Sequence, residues 1–126
     1  MKRKLLTATL CASMVAGMVV VPSVTAHAEE SKGLIGVAMP TQDLQRWNQD
    51  GENMKKELEA KGYEVDLQYA GNDVATQVSQ IENMIANGDQ LLVVASIEGD
   101  SLGTVLAQAK ENDIPVISYD RLGRIN

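Results

Sequence analysis

The sequence has almost no residues suited to redox, metal or imidazole chemistry. Its 126 residues include one cysteine, Cys11, and one histidine, His27. Both lie in an opening segment with a basic start "MKRK", an apolar run from Leu5 to Pro22 and "AHA" at 26–28, the pattern of an export signal. Cleavage after Ala28 would remove both residues. We therefore expect a mature chain without disulfides, a Cys/His metal site or histidine acid–base catalysis, and with no cofactor.

Basic charge is also scarce after residue 28. Residues 29–126 hold eight Lys and Arg against seventeen Asp and Glu, a net charge of −9. A domain this acidic is a poor partner for nucleic acid, whose phosphates repel it, and for an anionic membrane. No linker or low-complexity stretch divides these 98 residues, so they predict at most one small domain.

Four apolar runs predict β-strands. "LIGVAM" (34–39) and "LLVVAS" (91–96) are continuously apolar, as is typical of central strands covered on both faces. "YEVDLQY" (63–69) alternates, with Tyr63, Val65, Leu67 and Tyr69 on one face, which favours a strand nearer an edge. "PVISY" (115–119) is the fourth run.

Three helical patterns lie between these strands. Their apolar residues recur at steps of three and four, beginning near Trp47, Val74 and Leu102. For the second helix, Asn72 or Asp73 fits the N-cap and Gly88 the C-cap. Alternating strands and helices predict an α/β fold, a three-layer parallel sheet with the strand order 2-1-3-4.

Ligands of open parallel sheets bind outside the carboxyl ends of the strands, near the point where strand order reverses. The segments expected there are "PTQDLQRW", "SIEGD" and "DRLGR". Two glycine-rich phosphate-binding motifs, G-x-G-x-x-G and G-x-x-x-x-G-K-[ST], are both missing after the first strand. This argues against an enzyme that binds a dinucleotide or a nucleoside triphosphate. The polar and aromatic groups that can converge at this edge suit a neutral polyol, and no nucleophile–base pair is evident. They are Arg46, Trp47, Ser96, Glu98, Asp120 and Arg121.

Trp47, the only tryptophan, has two interpretations. It is in phase with Met54 and Leu58, so spacing alone predicts a core residue of the first helix. Its place in the first helical turn, beside Arg46 and at the ligand edge, instead favours a platform on which a sugar ring stacks. Glu98 is interpreted as a cap or loop residue.

The chain from Leu34 to about Arg124 resembles the amino-terminal lobe of periplasmic monosaccharide-binding proteins of ABC importers, in the D-xylose-binding and multiple-sugar-binding branch. The stretches that carry the resemblance are "RWNQDGENM" (46–54), "QVSQIENMI" (77–85), "LLVVAS" (91–96) and "YDRL" (119–122). In that family the aromatic of the Arg-Trp pair stacks on the pyranose and its arginine contacts sugar oxygens, and the Asp and Arg of Tyr-Asp-Arg bind ring and hydroxyl oxygens. The resemblance implies the ligand-binding residues Arg46, Trp47, Asp120 and Arg121.

The resemblance also implies the domain organisation. It makes residues 29–126 a partial amino-terminal lobe of the type I periplasmic-binding fold, following the signal peptide that the residues themselves predict at 1–28. The family's hinge and second lobe are absent from the sequence given, so roughly half a site is expected. The implied function is an exported binding component that delivers a monosaccharide of the xylose, glucose or galactose class to an ABC permease, located in the periplasm or cell envelope.

Other functions remain open on the sequence. They are an exported sugar or autoinducer sensor lobe feeding a membrane kinase, a LacI-type effector domain and a Rossmann-like sugar oxidoreductase. The export signal and acidic charge disfavour the second, and the missing glycine fingerprint disfavours the third. A further possibility is a product too incomplete to bind. We expect marginal stability and weak or no sugar binding by this chain alone.

Overall fold

A computed structural model describes residues 30–120, which form one parallel four-stranded sheet flanked by helices. The strands are β1 (Leu34–Met39), β2 (Glu64–Tyr69), β3 (Leu91–Val94) and β4 (Val116–Ser118). They are arranged in the order β2-β1-β3-β4, and every neighbouring pair is parallel. The predicted α/β fold and strand order are confirmed. The predicted signal segment and Arg121 lie outside the described residues.

Three α-helices connect the strands: α1 (Gln45–Ala60), α2 (Val74–Asn87) and α3 (Gly103–Glu111). Asp73 caps α2, since its side chain accepts a hydrogen bond of 2.6 Å from the Thr76 N–H, and Gly88 ends it in the left-handed region with φ 82°. Both predicted caps of α2 are therefore confirmed. A 3-10 turn at Asp100–Leu102 precedes α3. Within residues 30–120, no helix is long and apolar enough to span a bilayer.

The strands are shorter than predicted at three places. Tyr63 precedes β2, β3 ends at Val94, and β4 covers only Val116–Ser118. The chain beyond β3 stays ordered by other bonds, because the Ala95 N–H donates to the Ala38 carbonyl at 2.9 Å. The residues after β3 are consequently buried although they are no longer strand.

Two apolar clusters cover the two faces of the sheet. On one face, α1 contributes Trp47, and the sheet contributes Ile35, Val37, Met39, Val93 and Ala95. The alternating side chains of β2 and its preceding Tyr63 pack against this same cluster, as predicted. On the other face, α2 and α3 pack on Ala38, Leu92 and Val94. Because β1 and β3 supply side chains to both clusters, they must be apolar at every position.

A buried carboxylate lies at the edge of the sheet where the strands begin. Asp89 is 1% exposed, and neither of its oxygens has a hydrogen-bond partner among residues 30–120. Its Oδ2 fills the space beside Gly36, where an added Cβ would lie 2.5 Å away. Burial, and to a lesser degree the charge of Asp66, raises the pKa of Asp89 to about 6. This group costs stability when it is ionised.

Candidate functional site

The carboxyl ends of the strands carry the segments that form the candidate site. We call this edge, comprising residues 40–44, 95–99 and 119–120 with the first two turns of α1, the carboxyl rim. The segment after β1 is held firmly: the Thr41 hydroxyl oxygen accepts from the Asp43 N–H at 3.1 Å, and the Pro40 carbonyl accepts from Asn72 at 2.8 Å. These bonds fix where α1 begins and hence where its first side chains lie.

Arg46 is the residue to which the other predicted groups connect. Its Nη2 forms an ion pair and hydrogen bond with Asp120 Oδ1, 74 residues away in sequence. Its guanidinium carbon lies 4.8 Å from the centroid of the Trp47 ring, within range of a cation–π contact. Three of the four predicted ligand-binding residues are therefore adjacent, and the fourth, Arg121, lies outside the described residues.

Trp47 is buried. Its exposed fraction is 4%, and it packs among the apolar side chains between α1 and the sheet. Its helical phase with Met54 and Leu58, which pack on the same cluster, accounts for this burial. Arg46 lies over the ring, so the indole offers little free surface to a ligand in this arrangement. The sugar-stacking role of Trp47 stays a prediction.

Two further residues of the site were not singled out from the sequence. The Tyr119 hydroxyl donates a hydrogen bond of 3.0 Å to Asp50 Oδ2, and this same oxygen lies 3.7 Å from Arg46 Nε. The Tyr119 N–H donates to the Val94 carbonyl at 2.9 Å, which fixes the backbone at the end of β4. Arg46 and Asp50 are four residues apart on α1, a spacing that identifies candidate helical ion pairs.

The local electrostatics keep Arg46 charged and Tyr119 neutral. The hydrogen bond from Arg46 to Asp120 and the charge of Asp120 raise the pKa of Arg46 above its ordinary value. Burial raises the pKa of Tyr119, and the hydrogen bond to Asp50 adds to the effect. Asp120 has a φ of 64°, a left-handed conformation that is uncommon outside glycine but more accessible to Asp. At pH 7 the rim therefore presents a cation, a neutral hydroxyl and carboxylate groups.

The loop after β3 is positioned by Gln77, whose side chain is fully buried. Its Nε2 donates to the Ala95 carbonyl and its Oε1 accepts from the Ile97 N–H, both at 3.0 Å. The predicted rim residue Ser96 is only 1% exposed as a result of this loop path. Glu98 accepts a hydrogen bond of 2.9 Å from the Ser101 hydroxyl, as fits its interpretation as a cap or loop residue.

A family model described as the periplasmic binding protein domain matches residues 35–126, well over half of the chain. The chain belongs to this family. Among its relatives is the multiple sugar-binding periplasmic protein of Azospirillum brasilense, 46% identical over 117 residues, which cover 92% of this chain and 33% of that protein. The D-xylose-binding periplasmic protein of Escherichia coli K12 is 39% identical over 122 residues, covering 97% of this chain and 35% of that protein.

One solved structure superposes closely on this chain. It is an ABC transporter solute binding protein of Clostridium phytofermentans with bound β-D-glucose. The TM-score is 0.71 at 78% identity, over 71% of this chain and 28% of that one. This periplasmic binding protein domain therefore spans about a third of the length of the curated relatives that it matches.

The groups at the carboxyl rim are those used for holding a molecule. Arg46 supplies N–H donors, Asp120 and Asp50 supply acceptors, and Tyr119 supplies a hydroxyl that can do both. Within residues 30–120, no three His, Cys, Asp or Glu side chains are grouped so that they could hold a metal ion. Such donors and acceptors match the hydroxyl groups of a neutral polar ligand.

Proposed function

We propose that this chain is part of the exported substrate-binding component of an ABC sugar importer, and that its carboxyl rim binds a monosaccharide. The observation that carries the proposal is the Arg46–Asp120 pair, held beside Trp47 where parallel strands end. The 78% identity to a protein with bound β-D-glucose supports a pyranose as the ligand. The names of the curated relatives, one multiple-sugar-binding and one D-xylose-binding, support aldoses as the class to test.

The chemistry of the pair fits a sugar hydroxyl. A hydroxyl accepts from a guanidinium N–H and donates to a carboxylate, so one sugar hydroxyl can bridge Arg46 and Asp120. Their direct ion pair is solvent-accessible, with the two side chains 58% and 28% exposed, and exposed pairs of this kind are weak. A ligand can therefore insert between them at low cost. We propose Arg121 as a further donor to the same sugar.

We propose that Trp47 serves as the floor of this site. Stacking of its indole on the C–H face of a pyranose requires Arg46 to move off the ring, because the ring is only 4% exposed. Loss of the cation–π contact would then be offset by the new contact with the sugar. The fluorescence of this single tryptophan should report such an exchange directly.

The chain matches about a third of the length of its relatives. We therefore propose that these residues supply only one side of the complete sugar-binding site. We expect weak or undetectable sugar binding by these residues alone. Delivery of the sugar to an ABC permease is part of the proposal for the whole protein. The relatives are named as binding proteins, and we propose that this chain likewise holds its sugar without transforming it.

Sugar binding can be tested in the chain and in a graft. In the graft, residues 35–120 replace the matching segment of the Clostridium phytofermentans protein. Both are titrated with D-glucose, D-xylose and D-galactose while Trp47 fluorescence and calorimetric heat are followed. We expect saturable binding in the graft and its loss in the same graft carrying Asp120→Asn. A correctly folded graft that binds none of the three sugars would refute the proposal.

We further propose that residues 1–28 are an export signal removed after Ala28. The basic start, the apolar run and the small residues at 26 and 28 support this. Expression in a bacterium followed by cell fractionation and intact-mass measurement tests it. We expect a periplasmic or cell-envelope product that begins at Glu29. A product that keeps residue 1 and stays in the cytoplasm would contradict the proposal.

A further inference from the structure

Asp50 links the candidate site to the end of β4 through a single carboxylate oxygen. Oδ2 accepts the 3.0 Å hydrogen bond from the Tyr119 hydroxyl and lies 3.7 Å from Arg46 Nε. Arg46 lies one turn earlier on α1, whereas Tyr119 is 69 residues away. The Asp50 side chain is 27% exposed, so solvent screens its contacts less than those of a fully exposed helix pair.

The contacts of Arg46 define the orientation of its guanidinium plane. Nε lies 3.7 Å from Asp50 Oδ2, and Nη2 donates a hydrogen bond to Asp120 Oδ1. A guanidinium is planar and rigid, so two carboxylates on two of its nitrogens fix the direction of the third. Within residues 30–120, no hydrogen bond or ion pair engages Nη1. Nη1 is therefore the nitrogen that this arrangement leaves to a ligand.

We propose that Asp50 is a positioning residue, which holds Arg46 by Nε so that the guanidinium faces the ligand. This inference rests on the proposed function, since it assigns a role within the same site. Asp120 cannot perform this task alone, because a bound hydroxyl would take over its contact with Arg46. Asp50 keeps its contact with Nε when that happens. Without it, a long side chain that is 58% exposed would have to be ordered by the sugar itself.

A purely structural role for Asp50 is the alternative, in which it only ties α1 to β4 through Tyr119. The two roles are separable because Tyr119 can be changed without removing the Asp50 carboxylate. Tyr119→Phe removes the link to β4 and leaves the carboxylate beside Arg46. Asp50→Asn keeps the shape, leaves an amide oxygen that can still accept from Tyr119, and removes the charge beside Arg46. A positioning role makes Asp50→Asn the more harmful change for Arg46 and for the sugar.

The experiment uses the full chain, labelled with ¹⁵N. Exchange of the Arg46 Nε–H with water is measured by NMR, and its signal is assigned with Arg46→Lys among the four arginines of the sequence. Glucose binding is measured in the graft of residues 35–120, carrying the same variants, by titration with D-glucose while calorimetric heat is followed. The variants are Asp50→Asn, Asp50→Glu and Tyr119→Phe. The matched control is Glu57→Gln, an exposed carboxylate seven residues further along the same helix.

We expect Asp50→Asn to speed Nε–H exchange and to weaken glucose binding, each by roughly two- to fivefold, the range of one partly exposed ion pair. Asp50→Glu should recover most of both, whereas Tyr119→Phe and Glu57→Gln should leave Nε–H exchange unchanged. If Asp50→Asn does not fold, Asp50→Ser, which also removes the carboxylate, gives the comparison.

Unchanged exchange in Asp50→Asn overturns the inference, and so does faster exchange with an unchanged glucose affinity. If the correctly folded graft with the wild-type residues gives no glucose response, the proposed function fails. The exchange measurement in the unliganded samples still decides whether Asp50 holds Arg46. The two failures are thus distinguishable, because exchange is measured in the chain and glucose binding in the graft.

Discussion

The guanidinium of Arg46 lies over the indole of Trp47, with 4.8 Å between its central carbon and the ring centroid. The two residues are neighbours in sequence but face different surroundings: Arg46 is exposed at the carboxyl rim, and Trp47 is 4% exposed within the cluster under α1. The cation thus covers the aromatic group that we propose as the contact for a sugar. Access to the ring is controlled by how firmly Arg46 is held.

Removal of the Arg46 side chain should uncover the ring. In Arg46→Ala, we expect acrylamide to quench Trp47 fluorescence more strongly than in the wild type, because the group lying over the indole is gone. Lys32→Ala, which removes an exposed cation near Tyr63 and far from Trp47, is the control and should leave quenching unchanged. Equal quenching in Arg46→Ala and the wild type would mean that the neighbouring core, and not Arg46, shields the ring.

Truncation of Trp47 should destabilise the fold irrespective of any sugar. The ring packs with Val37, Met39 and Val93 between α1 and the sheet, so Trp47→Ala removes a large buried side chain. We expect a loss of about 3–5 kcal/mol in the free energy of unfolding, measured by urea denaturation and circular dichroism. Trp47→Phe should cost less. A loss below about 1 kcal/mol for Trp47→Ala would argue that the ring contributes little to this core.

The parts of the fold that sequence predicted well are those set by local rules. Both ends of α2 were predictable because Asp73 and Gly88 act within a few residues of the helix they cap. The strand order could be predicted from the continuous apolarity of β1 and the alternation in β2. A strand that is apolar at every position is covered on both faces and central, whereas an alternating strand lies nearer an edge. The end of β3 was predicted wrongly because Ala95 and Ser96 are buried but do not belong to the strand. Apolar character alone does not distinguish a buried strand residue from a buried loop residue.

For the candidate site, the sequence predicted which segments lie close together but not which side chains bond to one another. Strand ends of a parallel sheet share an edge, so the proximity of Arg46 and Asp120 could be expected. The Asp50–Tyr119 hydrogen bond joins residues 69 apart and depends on side-chain conformations that no sequence pattern specifies. The burial of Trp47 beneath Arg46 likewise depends on the packing of α1, which periodicity indicates without giving the exposed fraction.

Gln77 should prove important for the loop after β3. Gln77→Leu keeps a similar volume but deprives the Ala95 carbonyl and the Ile97 N–H of their side-chain partner. We expect a loss of about 2–4 kcal/mol in unfolding free energy, because these polar groups lie where water has poor access. Gln49→Leu, at an exposed position on α1, is the control and should change stability by less than about 0.5 kcal/mol. Similar losses in both variants would contradict this role of Gln77.

Asp89 should make the fold less stable as pH rises from 4 to 7. Its pKa in the folded chain is about 6, above its ordinary value of 3.8, so the folded state holds the proton more tightly than the unfolded state. The favourable contribution is complete below pH 3.8 and is lost as pH rises through 6. We expect the stability of the wild type, relative to Asp89→Asn, to fall by about 2–3 kcal/mol over this interval.

The measurement is urea denaturation of both proteins at several pH values between 4 and 7.5. Asp89→Asn removes the titrating group and nearly keeps the shape of the side chain. The quantity compared is the change in unfolding free energy with pH, and not the absolute stability of the two proteins. Glu82→Gln, at an exposed position on α2, controls for the loss of one negative charge and should keep the wild-type slope. Parallel curves for the wild type and Asp89→Asn would mean that Asp89 finds water or a partner that stabilises its charge. The buried oxygen beside Gly36 would then be solvated in solution.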